Sequence, residues 1–286
     1  MASRWVVGAR PRTLPAAVVP VLVGTAVASS QGGIILWRAV AAMVVSVAIQ
    51  VATNYANDYS DGVRGTDDVR VGPVRLVASG LAPARAVKRA AFAAFGVAGV
   101  VGLALTLAVG PELLLVGAAS IAAGWFYTGG SRPYGYVGLG EVAVFVFFGV
   151  VATVGSAYVH LEHVSGLAVL ASVPVGLLAT ALLVVNNLRD IPTDAAAGKR
   201  TLAVRLGDRN TRVLYVGCVS GAFAVVPPVS LARPAALLTF ITLALAQRPV
   251  NAVLRGAGGR DLVGVLIATG QLQLAFGLML ALGVAL

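Results

Sequence analysis

The chain has 286 residues, 58% of them hydrophobic and 11% charged, with a mean hydropathy of +0.91 and a formal net charge of +10. A soluble domain carries about 25% charged residues, so a soluble globular enzyme is excluded. No basic helix or aromatic platform stands apart from the apolar sequence, which argues against nucleic acid as a partner. One cysteine, Cys218, and two histidines, His160 and His163, exclude a disulfide framework and a multi-cysteine zinc site.

A helix needs about 20 apolar residues to cross the hydrocarbon of a bilayer. Nine such runs are predicted, at 13–31, 34–57, 84–109, 111–128, 137–159, 164–189, 212–232, 234–255 and 262–286, with no soluble domain between them. The first run ends in Ala26-Val27-Ala28 and has the look of a secretory leader with its cleavage site. Pro15, Pro20 and the immediate restart of apolar sequence at Ile34 favour a retained first helix. Cytoplasmic segments retain Lys and Arg; with the N-terminus inside, nineteen of the 21 basic residues fall on that side and only Arg38 and Arg233 on the other. This places the N-terminus in the cytoplasm and the C-terminus outside. Trp5, Trp37 and Trp125 near helix ends read as interfacial anchors.

Seven of the eleven acids follow the second and sixth runs: Asp58, Asp61, Asp67 and Asp68, then Asp190, Asp194 and Asp208. Both groups open on the same pattern, Asn57-x-x-x-Asp61 and Asn186-x-x-x-Asp190, 129 residues apart. The offset suggests an internal duplication of a four-helix unit, about 1–130 and 131–260, with a ninth helix added. Residues four apart share a helix face, so each pair aims at one point, and Asp194 adds a third group one turn on. Converging carboxylates repel unless a cation lies between them. An oxygen-only donor set suits Mg²⁺, which takes one or two carboxylates and leaves the rest to water and substrate phosphate.

Arg64, Arg70 and Arg75 follow the first group, Lys199, Arg200 and Arg205 follow the second, and Arg132 stands in the third cytoplasmic loop. Metal with surrounding Arg and Lys is the arrangement a diphosphate requires. Arg4, Asp208, Arg209 and Arg212 read instead as solvated charges.

With these motifs the chain resembles the UbiA superfamily of intramembrane aromatic prenyltransferases, over nearly its whole length. The resemblance rests on NYANDYSDGVRGTD (54–67), GPVRLVASG (72–80), YTGGSRPYGYVGLGE (127–141) and NNLRDIPTDAAAGKRTLAVRLG (186–207). Gly65 followed by Asp67 is similar to the branch that prenylates 1,4-dihydroxy-2-naphthoate in menaquinone biosynthesis. It implies an all-α multi-span membrane fold, nine transmembrane helices around a central cavity capped by two cytoplasmic Asp-rich loops, in a bacterial inner membrane. It also implies an Mg²⁺-dependent transfer, with two ions bridging the diphosphate of a polyprenyl donor. The aromatic ring attacks the allylic cation, and loss of CO₂ and diphosphate gives demethylmenaquinol. No obligate protein partner is implied.

Carried over by position, Asn57, Asp58, Asp61, Asp67, Asn186, Asp190 and Asp194 are implied as metal ligands, with Asp61, Asp190 and Asp194 essential to catalysis. Arg64, Tyr127, Arg132, Lys199 and Arg200 are implied as diphosphate contacts, and Ala195 departs from the basic residue that relatives often carry. Glu141 stays open between steering the acceptor and pairing with a base; Phe145, Phe147 and Phe148 read as packing or lipid-facing residues rather than cation stabilisers. The main rival is a prenyltransferase of the same superfamily acting on 4-hydroxybenzoate. A CDP-alcohol phosphotransferase is disfavoured by Gly65-Thr66 where its motif needs Ala and Arg. A cation transporter is disfavoured because its carboxylates would stand near the bilayer midplane.

Overall fold

The computed structural model describes residues 3–66 and 74–286. Asp67, expected as a metal ligand, lies outside the described residues. The described chain is helical, without strands: α1 (Arg4–Ala9), α2 (Pro15–Gln31), α3 (Leu36–Arg64), α4 (Ala84–Val109), α5 (Glu112–Phe126), α6 (Gly140–Leu161), α7 (Gly166–Ala196), α8 (Leu202–Ala232), α9 (Pro234–Leu254) and α10 (Asp261–Ala285).

Local chemistry sets the ends. The Ser165 hydroxyl caps α7 by accepting from the Ala168 amide, and Thr201 caps α8 by accepting from Val204. Gly65 closes α3 in the left-handed conformation that glycine adopts without strain.

Seven of these helices, α3, α4 and α6–α10, are long and apolar enough to cross a membrane among the described residues. The protein is therefore a multi-pass membrane protein. An eighth crossing exists if α1, the 3₁₀ turn Pro11–Thr13 and α2 are one broken span bent by 53°. The break follows from Arg10, which precedes Pro11 and has φ +52°, and from Pro15 at the first position of α2. The run expected at 111–128 is α5, at 15 residues shorter than a full crossing. Against the expected nine, seven or eight crossings are present by length among the described residues.

The largest core cluster lies around α7, the most buried span, where Ala171, Val175 and Leu178 meet Val23 of α2, Tyr215 of α8 and Phe276 of α10. Helix contact depends on missing side chains. A Cβ on Gly149 of α6 would lie 2.4 Å from the Gly176 Cα of α7, so the two backbones touch. A second cluster joins Tyr55 and Ala56 of α3, Leu76, and Val87 and Phe95 of α4. Arg38 and Arg233 lie at the bundle end away from Asp61 and Asp190. Arg38 donates to Val159 O at 2.8 Å, to Ala108 O at 3.0 Å and to Glu162 at 2.8 Å, and Arg233 donates to Ser30 O.

Candidate active site

Helices α3 and α7 run on past their expected ends, to Arg64 and Ala196, so Asp58, Asp61, Asp190 and Asp194 stand on final helical turns rather than in loops. On α3, Gln50, Asn54, Asn57 and Asp61 are spaced four, three and four residues apart and form one polar stripe lining a cavity. On α7, Asn186, Asn187, Asp190 and Asp194 line the same cavity. Its volume is about 340 Å³. It continues between apolar walls, Val45, Ile49 and Val151 among them, to Leu105, Leu113 and Val159 near the other end of the bundle.

The acids at the cavity's polar end are held by cations. Asp61, 4% exposed, lies 3.1 Å from Lys199 Nζ and 3.7 Å from Arg75, and accepts a hydrogen bond from the Tyr136 hydroxyl at 2.5 Å. Lys199 also approaches Asp194 at 3.9 Å, tying the ends of α3 and α7 together. Asp190 accepts two 2.7 Å hydrogen bonds from its neighbour Arg189, which also donates to Asn186 Oδ1 at 2.9 Å. The Tyr136 hydroxyl is pushed well above the ordinary tyrosine range, first by burial and then by the Asp61 charge, so it remains a donor. Burial and the Glu141 carboxylate push Tyr127 in the same direction.

Of the expected metal ligands, Asn57, Asp61, Asn186, Asp190 and Asp194 meet at this cavity, and Asn57 Oδ1 accepts from Thr128 at 2.8 Å. Asp58 does not. It is fully buried beside the cavity wall, and its carboxylate accepts from the amides of Leu76 at 2.8 Å and Val77 at 3.0 Å. One residue along a helix is a 100° turn, which takes Asp58 off the face that Asn57 and Asp61 share.

Of the expected diphosphate contacts, Tyr127 and Lys199 line the cavity. Arg64 is exposed and donates to the carbonyls of Thr128 and Gly130, pinning the chain after α5. Arg132 and Arg200 are exposed outside the lining, and the Arg200 amide donates to Tyr136 O at 2.9 Å. Arg75, expected only as one of the cations around the acids, lines the site, and Arg10 and Tyr136 line it without having been expected there. Their only signal in the sequence is charge or aromaticity in a loop, because the backbone path that brings them in is tertiary. Phe147 and Phe148 also line the cavity, contrary to the expected packing role, whereas Phe145 packs against Gly176. The cause is a π-helical stretch, Phe145–Val151, which shifts the register of α6.

Among the described residues no three His, Cys, Asp or Glu side chains form a preformed metal cage. The oxygen donors present, two from α3 and three from α7, suit a hard cation that arrives with phosphate and completes its shell with water.

A family model described as the UbiA prenyltransferase family matches residues 17–261. The 1,4-dihydroxy-2-naphthoate octaprenyltransferase of Mycobacterium tuberculosis is 49% identical over 279 residues, covering 98% of this chain and 96% of that protein. The enzyme of the same name from Escherichia coli is 40% identical, covering 76% and 73%. The solved structure of a UbiA homolog from Archaeoglobus fulgidus bound to GPP and Mg²⁺ superposes with a TM-score of 0.71 at 14% identity, covering 97% of this chain and 99% of that one. The apo UbiA homolog from Aeropyrum pernix K1 also gives 0.71, at 16% identity over 95% and 96%. The cavity between the Asn-Asp ends of α3 and α7, together with these likenesses, places the chain in the UbiA prenyltransferase family.

Proposed function

We propose that the protein transfers a polyprenyl group from polyprenyl diphosphate to 1,4-dihydroxy-2-naphthoate, in the inner membrane of a bacterium, with the acidic cavity end, cap and N-terminus cytoplasmic and the C-terminus outside. The observation that carries this reading is one cavity with two chemistries: carboxylates, amides and Lys199 at one end, and apolar and aromatic walls beyond. A diphosphate fits the first and an isoprenoid tail the second. The 49% identity over nearly the whole chain supports the naphthoate acceptor.

Asn57, Asp61, Asn186, Asp190 and Asp194 would hold Mg²⁺, two ions in this reading, with Asp67 a further ligand. The bound metal would neutralise charge on the departing diphosphate. Lys199 would turn its ammonium from Asp61 toward a phosphate oxygen, with Arg75 at its side and Tyr127 donating from the wall; both cations already stand within 4 Å of Asp61. Arg64, Arg132 and Arg200 would add positive potential at the mouth rather than direct contacts. Phe147 and Phe148, which line the cavity, would stabilise the allylic cation through their rings and exclude the water that would quench it. The ring carbon bearing the carboxylate attacks that cation, and the bond to the carboxylate then breaks. Its electron pair returns to the ring as CO₂ leaves, giving demethylmenaquinol and diphosphate.

The matched positions of the two Asn-Asp pairs, at the ends of α3 and α7, support a duplicated four-helix unit with α10 added. Purified protein incubated with polyprenyl diphosphate, Mg²⁺ and naphthoate labelled in its carboxylate is expected to release labelled CO₂ and diphosphate in equal amounts. Prenylation without CO₂ release would overturn the proposed chemistry.

A further inference from the structure

One turn before Asp190, the cavity wall carries an amide that is fixed from behind. Asn187 lines the cavity, and its Nδ2 donates to Oε1 of Glu141 at 2.9 Å. Glu141 stands in the first turn of α6, is 5% exposed, and its Oε2 has no hydrogen-bond partner. A carboxyl group held this way inside a membrane span is costly unless it serves a purpose. Here it fixes the direction of a neighbouring dipole. With one Nδ2 hydrogen committed to Glu141 Oε1 and no protein donor on Oδ1 among the described residues, Asn187 keeps its carbonyl oxygen as the acceptor available to a ligand in the cavity.

An acceptor edge sorts ligands. Phosphate and carboxylate oxygens bring no hydrogen to it and are repelled, whereas a hydroxyl is bound. Tyr127 lines the same cavity, its hydroxyl 3.3 Å from where a Cβ on Gly140 would stand, so an aromatic side chain lies against the first turn of α6 that carries Glu141.

We infer that Glu141 is a positioning residue for the aromatic acceptor: it holds Asn187 so that Oδ1 receives a ring hydroxyl. This rests on the proposed aromatic prenyl transfer. As the ring attacks the cation its hydroxyl hydrogen becomes more positive, so a hydrogen bond to Asn187, backed by the Glu141 carboxyl group, strengthens toward the transition state. Asn187 touches the substrate in this scheme and Glu141 acts through it.

Equilibrium binding to detergent-purified protein, without turnover, tests the inference. The probes are 1,4-dihydroxy-2-naphthoate, its two monohydroxy analogues, and a non-ionisable prenyl thiodiphosphate with Mg²⁺. Wild type is expected to bind the dihydroxy compound about tenfold more tightly than one monohydroxy analogue, the worth of one hydrogen bond. In Glu141→Gln, where Asn187 is free to flip, and in Asn187→Leu, the ratio falls to near one while thiodiphosphate affinity stays within twofold. A ratio unchanged in both variants overturns the inference. Equal loss of all ligands in both variants also overturns it, because that marks a purely structural pair. Wild type that binds the thiodiphosphate but none of the naphthoates overturns the acceptor reading itself.

Discussion

Lys199 Nζ lies 3.1 Å from Asp61 Oδ1, so an ammonium from the chain after α7 rests on a carboxylate of α3. Both side chains are under a tenth exposed. Such a pair is weak evidence for stability, but breaking a buried pair costs up to about 3–5 kcal/mol, and here Arg75 at 3.7 Å and the Tyr136 hydroxyl would offset part of the loss.

Lys199→Met is therefore expected to weaken both fold and function. Thermal unfolding should come earlier, and the KM for prenyl diphosphate should rise by about ten- to a hundredfold, the worth of one charge-assisted hydrogen bond. Adding Asp61→Asn to Lys199→Met should recover part of the unfolding temperature and none of the turnover.

Asp61→Asn and Asp190→Asn are each expected to lower kcat by at least a hundredfold and to weaken Mg²⁺ binding measured by calorimetry in the presence of a diphosphate analogue. Arg189→Met tests the same centre differently. It frees Asp190 from its two 2.7 Å hydrogen bonds, so the orientation of that carboxylate is lost and kcat should fall even though no metal ligand is removed.

Asp58→Ala separates structure from catalysis. Its carboxylate fastens Leu76 and Val77, and loss of two buried charge-assisted bonds should cost about 3 kcal/mol or more of stability. The Mg²⁺ concentration giving half-maximal activity in the surviving folded fraction should not move. A large shift in that concentration would restore Asp58 to the metal site.

Gly149→Leu tests the helix contact at the cavity wall. Its side chain has no space against Gly176, and overpacking of this kind costs about 1–3 kcal/mol, read as a lower unfolding temperature in detergent.

The sequence already carries the spans and the acidic faces. Hydropathy locates the helices because lipid demands long apolar runs, and the spacing of Asn57 with Asp61 and of Asn186 with Asp190 places each pair on one face. What was not legible depends on packing. Arg75 and Tyr136 reach Asp61 along loops with no periodicity, and the π-helical turn that aims Phe147 and Phe148 inward leaves no mark in residue spacing. Proline marks the bend between α1 and α2 only in hindsight, since Pro20 sits inside α2 without ending it.

The most direct test of a single metal-dependent site joining α3 to α7 is a turnover assay of purified protein. It offers 1,4-dihydroxy-2-naphthoate and 4-hydroxybenzoate side by side, with prenyl diphosphates of several lengths, with and without Mg²⁺. Prenylation of the naphthoate alone, abolished by chelation and restored by Mg²⁺, is the expected result. Prenylation of 4-hydroxybenzoate with the naphthoate ignored, or undiminished turnover after complete chelation, would contradict it.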